Sequence, residues 1–127
     1  MFGNRCMVSS LVASVAFFLG LLGLFARSEP DQCAKIHQVE MTFEGATGFK
    51  PPTVVIQVGD CVRWVNVHGI EHSAVAVDRS FHTGTLMPGG ANIVEFNKPG
   101  IYPYTCGPHP PMVGKVIVEP RRAADSD

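Results

Sequence analysis

The sequence has few charged residues and no long run of either sign. Charged side chains make up 17% of the 127 residues, and the formal net charge is -1. Proteins that bind nucleic acid need clustered Lys or Arg to neutralise phosphates, and no such cluster interleaved with aromatic residues occurs. The composition therefore argues against a nucleic-acid partner. The low charge content also argues against long-range disorder.

A sustained helical period is missing after Ser28. Short β-branched runs separated by Gly, Pro and Asp recur instead, and this pattern predicts an all-β domain. About seven short strands in ~90 residues favour a β-sandwich with Greek-key connections. The predicted strands are Val39–Phe43, Thr53–Val58, Cys61–Asn66, Ser73–Val77, Ala91–Phe96, Ile101–Cys106 and Gly114–Glu119.

Charge is also absent from residues 6–26, an apolar stretch that follows a lone Arg5. The small residues Ala26 and Ser28 offer a signal-peptidase site, so the stretch is typical of an export signal. It is also long enough to span a bilayer, which leaves an uncleaved membrane tether as the alternative. In both cases the remaining domain lies in the periplasm or on the extracytoplasmic side of the membrane. We therefore divide the chain into a signal or anchor (1–27), a β-domain (28–120) and a loose C-terminal tail (121–127).

The residues most informative about chemistry are Cys106, His109 and Met112, which place a thiol, an imidazole and a thioether within seven residues between two predicted strands. Soft sulfur ligands combined with imidazole suit copper. One Cys, two His and a long axial Met form the blue-copper arrangement. His72 is the predicted second imidazole, because it begins a strand shortly after Asn66 and its loop can lie at one end of the sandwich.

These motifs resemble the cupredoxins, the family of type 1 (blue) copper proteins, and in particular its amicyanin-like and plastocyanin-like members. The resemblance covers residues 39–119 and implies one type 1 copper per chain. The motifs that carry it are Val58-Gly59-Asp60, Trp64-Val65-Asn66 with His72 eight residues after Trp64, Pro99-Gly100-Ile101-Tyr102, the Cys106 loop and Gly114-Lys115-Val116-Ile117-Val118.

Three positions depart from the family pattern, and one of them is Glu71, which places a carboxylate beside a ligand where amicyanin-like members have Pro. The ligand His is usually followed by Asn and the ligand Cys often by Thr, whereas this chain has Ser73 and Gly107. We expect the backbone amide of Ser73 to donate to the Cys106 sulfur. The resemblance also places Asn66 close to the ligands.

A copper held by four protein ligands has no open position for substrate, so the sequence predicts a one-electron carrier and no enzyme. The alternative is a copper-binding protein for storage or delivery. The resemblance implies that electrons pass through His109 within an apolar ring, to or from a redox protein such as a dehydrogenase or a c-type cytochrome. We expect a monomer. The predicted docking residues are His109, Pro108, Pro110, Pro111 and Met87.

Two cysteines remain once Cys6 is assigned to the signal and Cys106 to the metal. An even count in an oxidising compartment predicts a disulfide between Cys33 and Cys61, as the resemblance to another cupredoxin, azurin, also implies. Two unpaired thiols are the alternative. We interpret three further histidines as solvated or structural: His37, His68 and His82.

Overall fold

Two four-stranded sheets form a sandwich in which their inward-facing residues meet. The structure is a computed structural model, and it describes residues 33–43 and 48–125. Among these residues there is no α-helix, and only Ala123–Asp125 form a 3-10 turn. In the part described, no helix is long and apolar enough to cross a membrane. The predicted signal or anchor lies outside the described residues, so it stays a prediction together with the domain boundaries.

The described residues form eight strands: β1 (Ile36–Met41), β2 (Phe49–Lys50), β3 (Thr53–Gln57), β4 (Asp60–Asn66), β5 (Val75–Ala76), β6 (Ala91–Phe96), β7 (Gly100–Thr105) and β8 (Val113–Glu119). One sheet has the order β2-β1-β4-β6 and the other β3-β8-β7-β5. Two of the pairings are parallel, β1 with β4 and β3 with β8, so the chain crosses between the sheets. The predicted all-β Greek-key sandwich is confirmed.

Alternation along β4 places Val62, Trp64 and Asn66 on the inner face, and all three are fully buried. Trp64 lies at the centre of an aromatic cluster. Its ring stacks on Phe81 with centroids 5.2 Å apart and meets Tyr104 edge-on at 5.5 Å. Such contacts add to the free energy gained from burying the rings.

Two strand predictions need correction, and one strand was missed. β1 begins three residues earlier than predicted and ends at Met41, so Phe43 lies beyond it. The strand predicted for Ser73–Val77 shrinks to β5, because the amides of Ser73 and Ala74 donate to side chains of other loops, not to a neighbouring strand. β2 has only two residues and was not predicted.

The disulfide lies at the start of β4, and the loop that leads to His72 begins at its end. At its start, Cys61 forms a disulfide with Cys33, and the predicted bridge is confirmed, with Cα atoms 5.4 Å apart. Asp60, next to it, accepts hydrogen bonds from the His37 ring and the Arg121 guanidinium. At its other end, Asn66 opens the loop that leads to His72.

Candidate metal centre

The loop between β7 and β8 carries three of the predicted ligands: Cys106, His109 and Met112. Two backbone hydrogen bonds close it. The Met112 amide donates to the His109 carbonyl at 2.9 Å, and the Cys106 amide donates to the Met112 carbonyl at 3.1 Å. The loop therefore folds back on itself and holds Cys106 and Met112 in the interior, where both side chains are almost fully buried.

Asn66 shapes the loop that brings His72 to the same end of the sandwich. Its side-chain amide donates to the carbonyls of Ile70 (2.7 Å) and Leu86 (2.8 Å), and its Oδ1 accepts from the amide of His68 (2.9 Å). Leu86 in turn exchanges two backbone hydrogen bonds with His72. One buried side chain thus fixes both segments that flank His72.

The structure brings His72, Cys106 and His109 together, with one potential ligand atom of each within 4.8 Å of the others. The Cys106 Sγ lies 3.6 Å from Nδ1 of His72 and 3.5 Å from Nδ1 of His109. Bonds of about 2.0 to 2.3 Å from a tetrahedral metal to nitrogen and sulfur place neighbouring donors roughly 3.5 Å apart. The spacing therefore fits three ligands of one metal ion.

The sulfur has a further contact that suits a thiolate. The Ser73 amide donates to Cys106 Sγ at 3.4 Å, as expected from the sequence. In addition, the Ser73 hydroxyl accepts a hydrogen bond from the Gly107 amide at 3.0 Å. Ser73 and Gly107 therefore connect the two ligand loops although both depart from the family pattern. The backbone amide of Gly107 makes the contact in place of a side chain.

Met112 packs against Gly48. A Cβ built on Gly48 would lie 2.8 Å from Cγ of Met112 and 2.8 Å from the Thr42 carbonyl. Only a residue without a side chain fits there. Gly48 was not identified from the sequence, because its role depends on a contact 64 residues along the chain.

The burial of His72 favours the protonation state that a metal needs. Burial lowers the pKa of the His72 ring below its usual value, and the nearby imidazoles of His109 and His68 lower it further. A neutral ring has a free nitrogen lone pair, so it binds metal without first losing a proton.

The three other histidines have different surroundings. His37 pairs with Asp60, and His82 is exposed with its Nδ1 accepting from the Gly84 amide. Both agree with a structural or solvated interpretation. His68 does not lie apart from the site: its Nδ1 is 3.1 Å from Nε2 of His72, and its ring stacks on Phe43. Sequence spacing gave no signal for this contact.

The surface around His109 is apolar. Phe43 is 56% exposed and meets the His109 ring edge-on, with centroids 5.9 Å apart. His109 itself is half-buried, and the predicted prolines at 108, 110 and 111 are exposed. Met87 is 61% exposed in the loop that follows Leu86. Phe43 was predicted as part of a strand, so its place beside the site was missed.

Comparison with known proteins identifies the group to which the chain is similar. It is 38% identical to Amicyanin-alpha of Methylorubrum extorquens, over 56% of this chain and 64% of that protein. It therefore spans less than two thirds of that relative. It is also 31% identical to amicyanin of Paracoccus versutus, over 85% of this chain and 92% of the relative.

A solved structure supports the same grouping. The purple cupredoxin from Nitrosopumilus maritimus superposes with a TM-score of 0.60 at 27% identity, over 65% of this chain and 98% of that one. The profile of the copper binding proteins of the plastocyanin/azurin family matches residues 36–119. Copper is also the metal that thiolate, imidazole and thioether ligands suit. The chain belongs to the plastocyanin/azurin family of copper-binding proteins, as its resemblance to the cupredoxins predicted.

Proposed function

We propose that the protein carries single electrons between redox proteins, using one type 1 copper bound by His72, Cys106, His109 and Met112. The observation that carries the proposal is the buried Cys106 sulfur within 3.6 Å of two imidazole nitrogens. Bound copper supplies one-electron chemistry by alternating between Cu(I) and Cu(II). Met112 would supply the fourth ligand, because it is buried at the end of the same closed loop.

The protein contributes a rigid and closed site. Asn66 holds the loop that carries His72, and Ser73 links that loop to the Cys106 loop, so the donor atoms are restrained before metal binds. The Ser73 amide also stabilises negative charge on the Cys106 sulfur. Four protein ligands leave no position for a substrate, so we expect no enzymatic activity.

The apolar surface at His109 suits brief contact with a redox partner. We propose that this docking surface consists of His109, the prolines at 108, 110 and 111, Met87 and Phe43. Weak electron-transfer encounters use small interfaces, and apolar groups release water on contact. We propose a redox protein as the partner, such as a dehydrogenase or a c-type cytochrome, in keeping with the similarity to the amicyanins.

The proposed location is the periplasm or the extracytoplasmic face of a membrane. The Cys33–Cys61 disulfide supports it, because such bonds persist in oxidising compartments. The uncharged segment at residues 6–26 would then act as a cleaved signal or as a tether. We propose a monomer in either case.

Copper loading tests the assignment of the centre. The protein loaded with one equivalent of Cu(II) should be intensely blue, because charge transfer from the Cys106 thiolate to copper absorbs visible light. Cys106→Ser should abolish the colour, whereas His82→Ala, a change at an exposed histidine, should retain it. A colourless protein that holds stoichiometric Cu(II) would contradict the type 1 assignment.

Stopped-flow oxidation separates electron transfer from copper storage or delivery. The Cu(I) protein mixed with an oxidised c-type cytochrome should lose its electron and keep its copper. Met87→Lys should slow this reaction by placing a charge on the apolar surface, with the blue spectrum unchanged. Transfer of copper itself to a chelating acceptor at a comparable rate would favour storage or delivery.

A further inference from the structure

We propose that His68 is a positioning residue for His72: it accepts a hydrogen bond from Nε2 of His72 and thereby keeps the Nδ1 lone pair of His72 directed at the metal position. The consequence for copper rests on the proposed function. The hydrogen bond itself does not, and it can be tested in the copper-free protein.

The two nitrogens of His72 face different partners. Nδ1 lies 3.6 Å from Cys106 Sγ, on the side where the three ligand atoms converge. Nε2 lies 3.1 Å from Nδ1 of His68. A neutral imidazole has one nitrogen that donates and one that accepts. For Nδ1 of His72 to offer its lone pair, the proton must sit on Nε2, and Nδ1 of His68 is the acceptor placed to receive it.

The His68 ring is itself held in place from two directions. Its backbone amide donates to Asn66 Oδ1 at 2.9 Å, which fixes the start of the side chain. Its ring lies nearly parallel to that of Phe43, with centroids 5.4 Å apart and an interplanar angle of 11°. A half-buried side chain with both restraints provides a fixed acceptor, which a solvated histidine would not.

A second hydrogen bond on a metal-binding histidine does two things. It orients the ring toward the metal, and it raises the basicity of the nitrogen that binds. Loss of such a partner typically lowers metal affinity by about 10 to 100-fold. His68 is thus expected to strengthen binding of Cu(II), the form that depends more on basic nitrogen ligands.

Two substitutions at the same position separate the hydrogen bond from the packing. His68→Phe keeps an aromatic ring that can stack on Phe43 but removes the acceptor. His68→Asn removes the ring but keeps a side-chain acceptor where Nδ1 stands. His82→Phe is the matched control, since it makes the same change at an exposed histidine away from the ligands.

The first measurement is ¹⁵N NMR of the imidazole rings in the copper-free protein in mildly alkaline solution, which reports which ring nitrogen of His72 carries the proton. Wild type, His68→Asn and His82→Phe should each show His72 protonated at Nε2. His68→Phe should shift it toward protonation at Nδ1. If wild-type His72 carries its proton on Nδ1, or if His68→Phe leaves the proton on Nε2, the proposal is wrong.

The second measurement compares copper binding and potential. His68→Phe should bind Cu(II) about 10 to 100-fold more weakly, with His68→Asn closer to wild type. Each tenfold loss of affinity that affects Cu(II) but not Cu(I) raises the reduction potential by about 59 mV. If wild type forms no blue centre, the proposed function fails and the NMR result still stands. If the centre forms but His68→Phe leaves affinity and potential unchanged, this proposal fails alone.

Discussion

Gly48 gives the Met112 side chain the space that it occupies. Gly48→Ala would place a methyl group 2.8 Å from Cγ of Met112 and from the Thr42 carbonyl, so the thioether must move. We expect the copper-loaded variant to have a changed visible spectrum and reduction potential, because the axial ligand tunes such sites.

Gly69→Ala is the matched control for this change. Gly69 lies in the loop before His72, and an added Cβ would meet nothing within 4 Å. Its spectrum should equal that of wild type. An unchanged spectrum and potential for Gly48→Ala would show that Met112 does not contribute to the copper centre.

The ligands were predictable because their chemistry is visible in one short loop. Cys106, His109 and Met112 are close in sequence, and His72 follows Trp64 at a recognisable spacing. The contact between His68 and His72 was not predictable. Side chains four residues apart face each other regularly only in a helix, and here the loop curvature set by Asn66 creates the contact.

At the scale of the strands, Gly114 on β8 lies opposite Tyr104 on β7. The Tyr104 ring covers the glycine so closely that an added Cβ would overlap it. Gly114→Ala should therefore lower the free energy of unfolding by about 1 to 3 kcal/mol, the usual cost of overpacking. Urea denaturation measures this, with Gly69→Ala as the control that should stay near wild type. Equal stability of the two variants would contradict the packing argument.

Strand prediction succeeded where turn residues such as Gly, Pro and Asp bound the strand. The residues of β6 were predicted without error, and β3, β4, β7 and β8 within about one residue at each end. β2 was missed because two residues carry no period. β5 was overestimated because Ser73 and Ala74 are β-compatible by composition, while their amides are taken by Cys106 and Thr83. Such side-chain partners depend on tertiary contacts, which the sequence pattern does not reveal.

For the molecule as a whole, the Cys33–Cys61 disulfide constrains the unfolded chain. The two cysteines are 28 residues apart. The chain-entropy model gives roughly 3.5 kcal/mol of stabilisation for a loop of this length. Replacing both cysteines by alanine should lower the free energy of unfolding by about that amount, as measured by urea denaturation of the copper-free protein. A loss below about 1 kcal/mol would show that the bridge contributes little.

Asp60 makes stability depend on pH. Burial alone would raise its pKa, but hydrogen bonds from His37, the Gln57 amide and Arg121 outweigh burial and hold the pKa below the usual value of 3.8. A carboxylate with a lowered folded-state pKa stabilises the protein above its unfolded pKa. That contribution is lost as the pH falls through the folded value. The free energy of unfolding should therefore decline as the pH drops below about 4.

Substitution of Asp60 tests whether this carboxylate causes the loss of stability in acid. Asp60→Asn should be less stable than wild type at neutral pH and should show a weaker decline in acid. Asp78→Asn is the comparison. The pKa of Asp78 is also lowered, by hydrogen bonds from Ser80, but its side chain is in solvent. We therefore expect Asp78→Asn to change the free energy of unfolding less than Asp60→Asn does. The same acid dependence in wild type and Asp60→Asn would assign the decline to other groups.

The parallel pairing of β1 with β4 places the disulfide and the candidate metal centre at opposite ends of the same two strands. Cys33 and Cys61 lie at the start of this pair, and Asn66, which leads to His72, lies at its far end. Seven strand residues span about 20 Å. Attachment through the Cys33 end, to a lipid surface or to an electrode, would therefore leave His109 and Phe43 pointing outward. A protein held at its disulfide end would keep the proposed docking surface accessible to a partner.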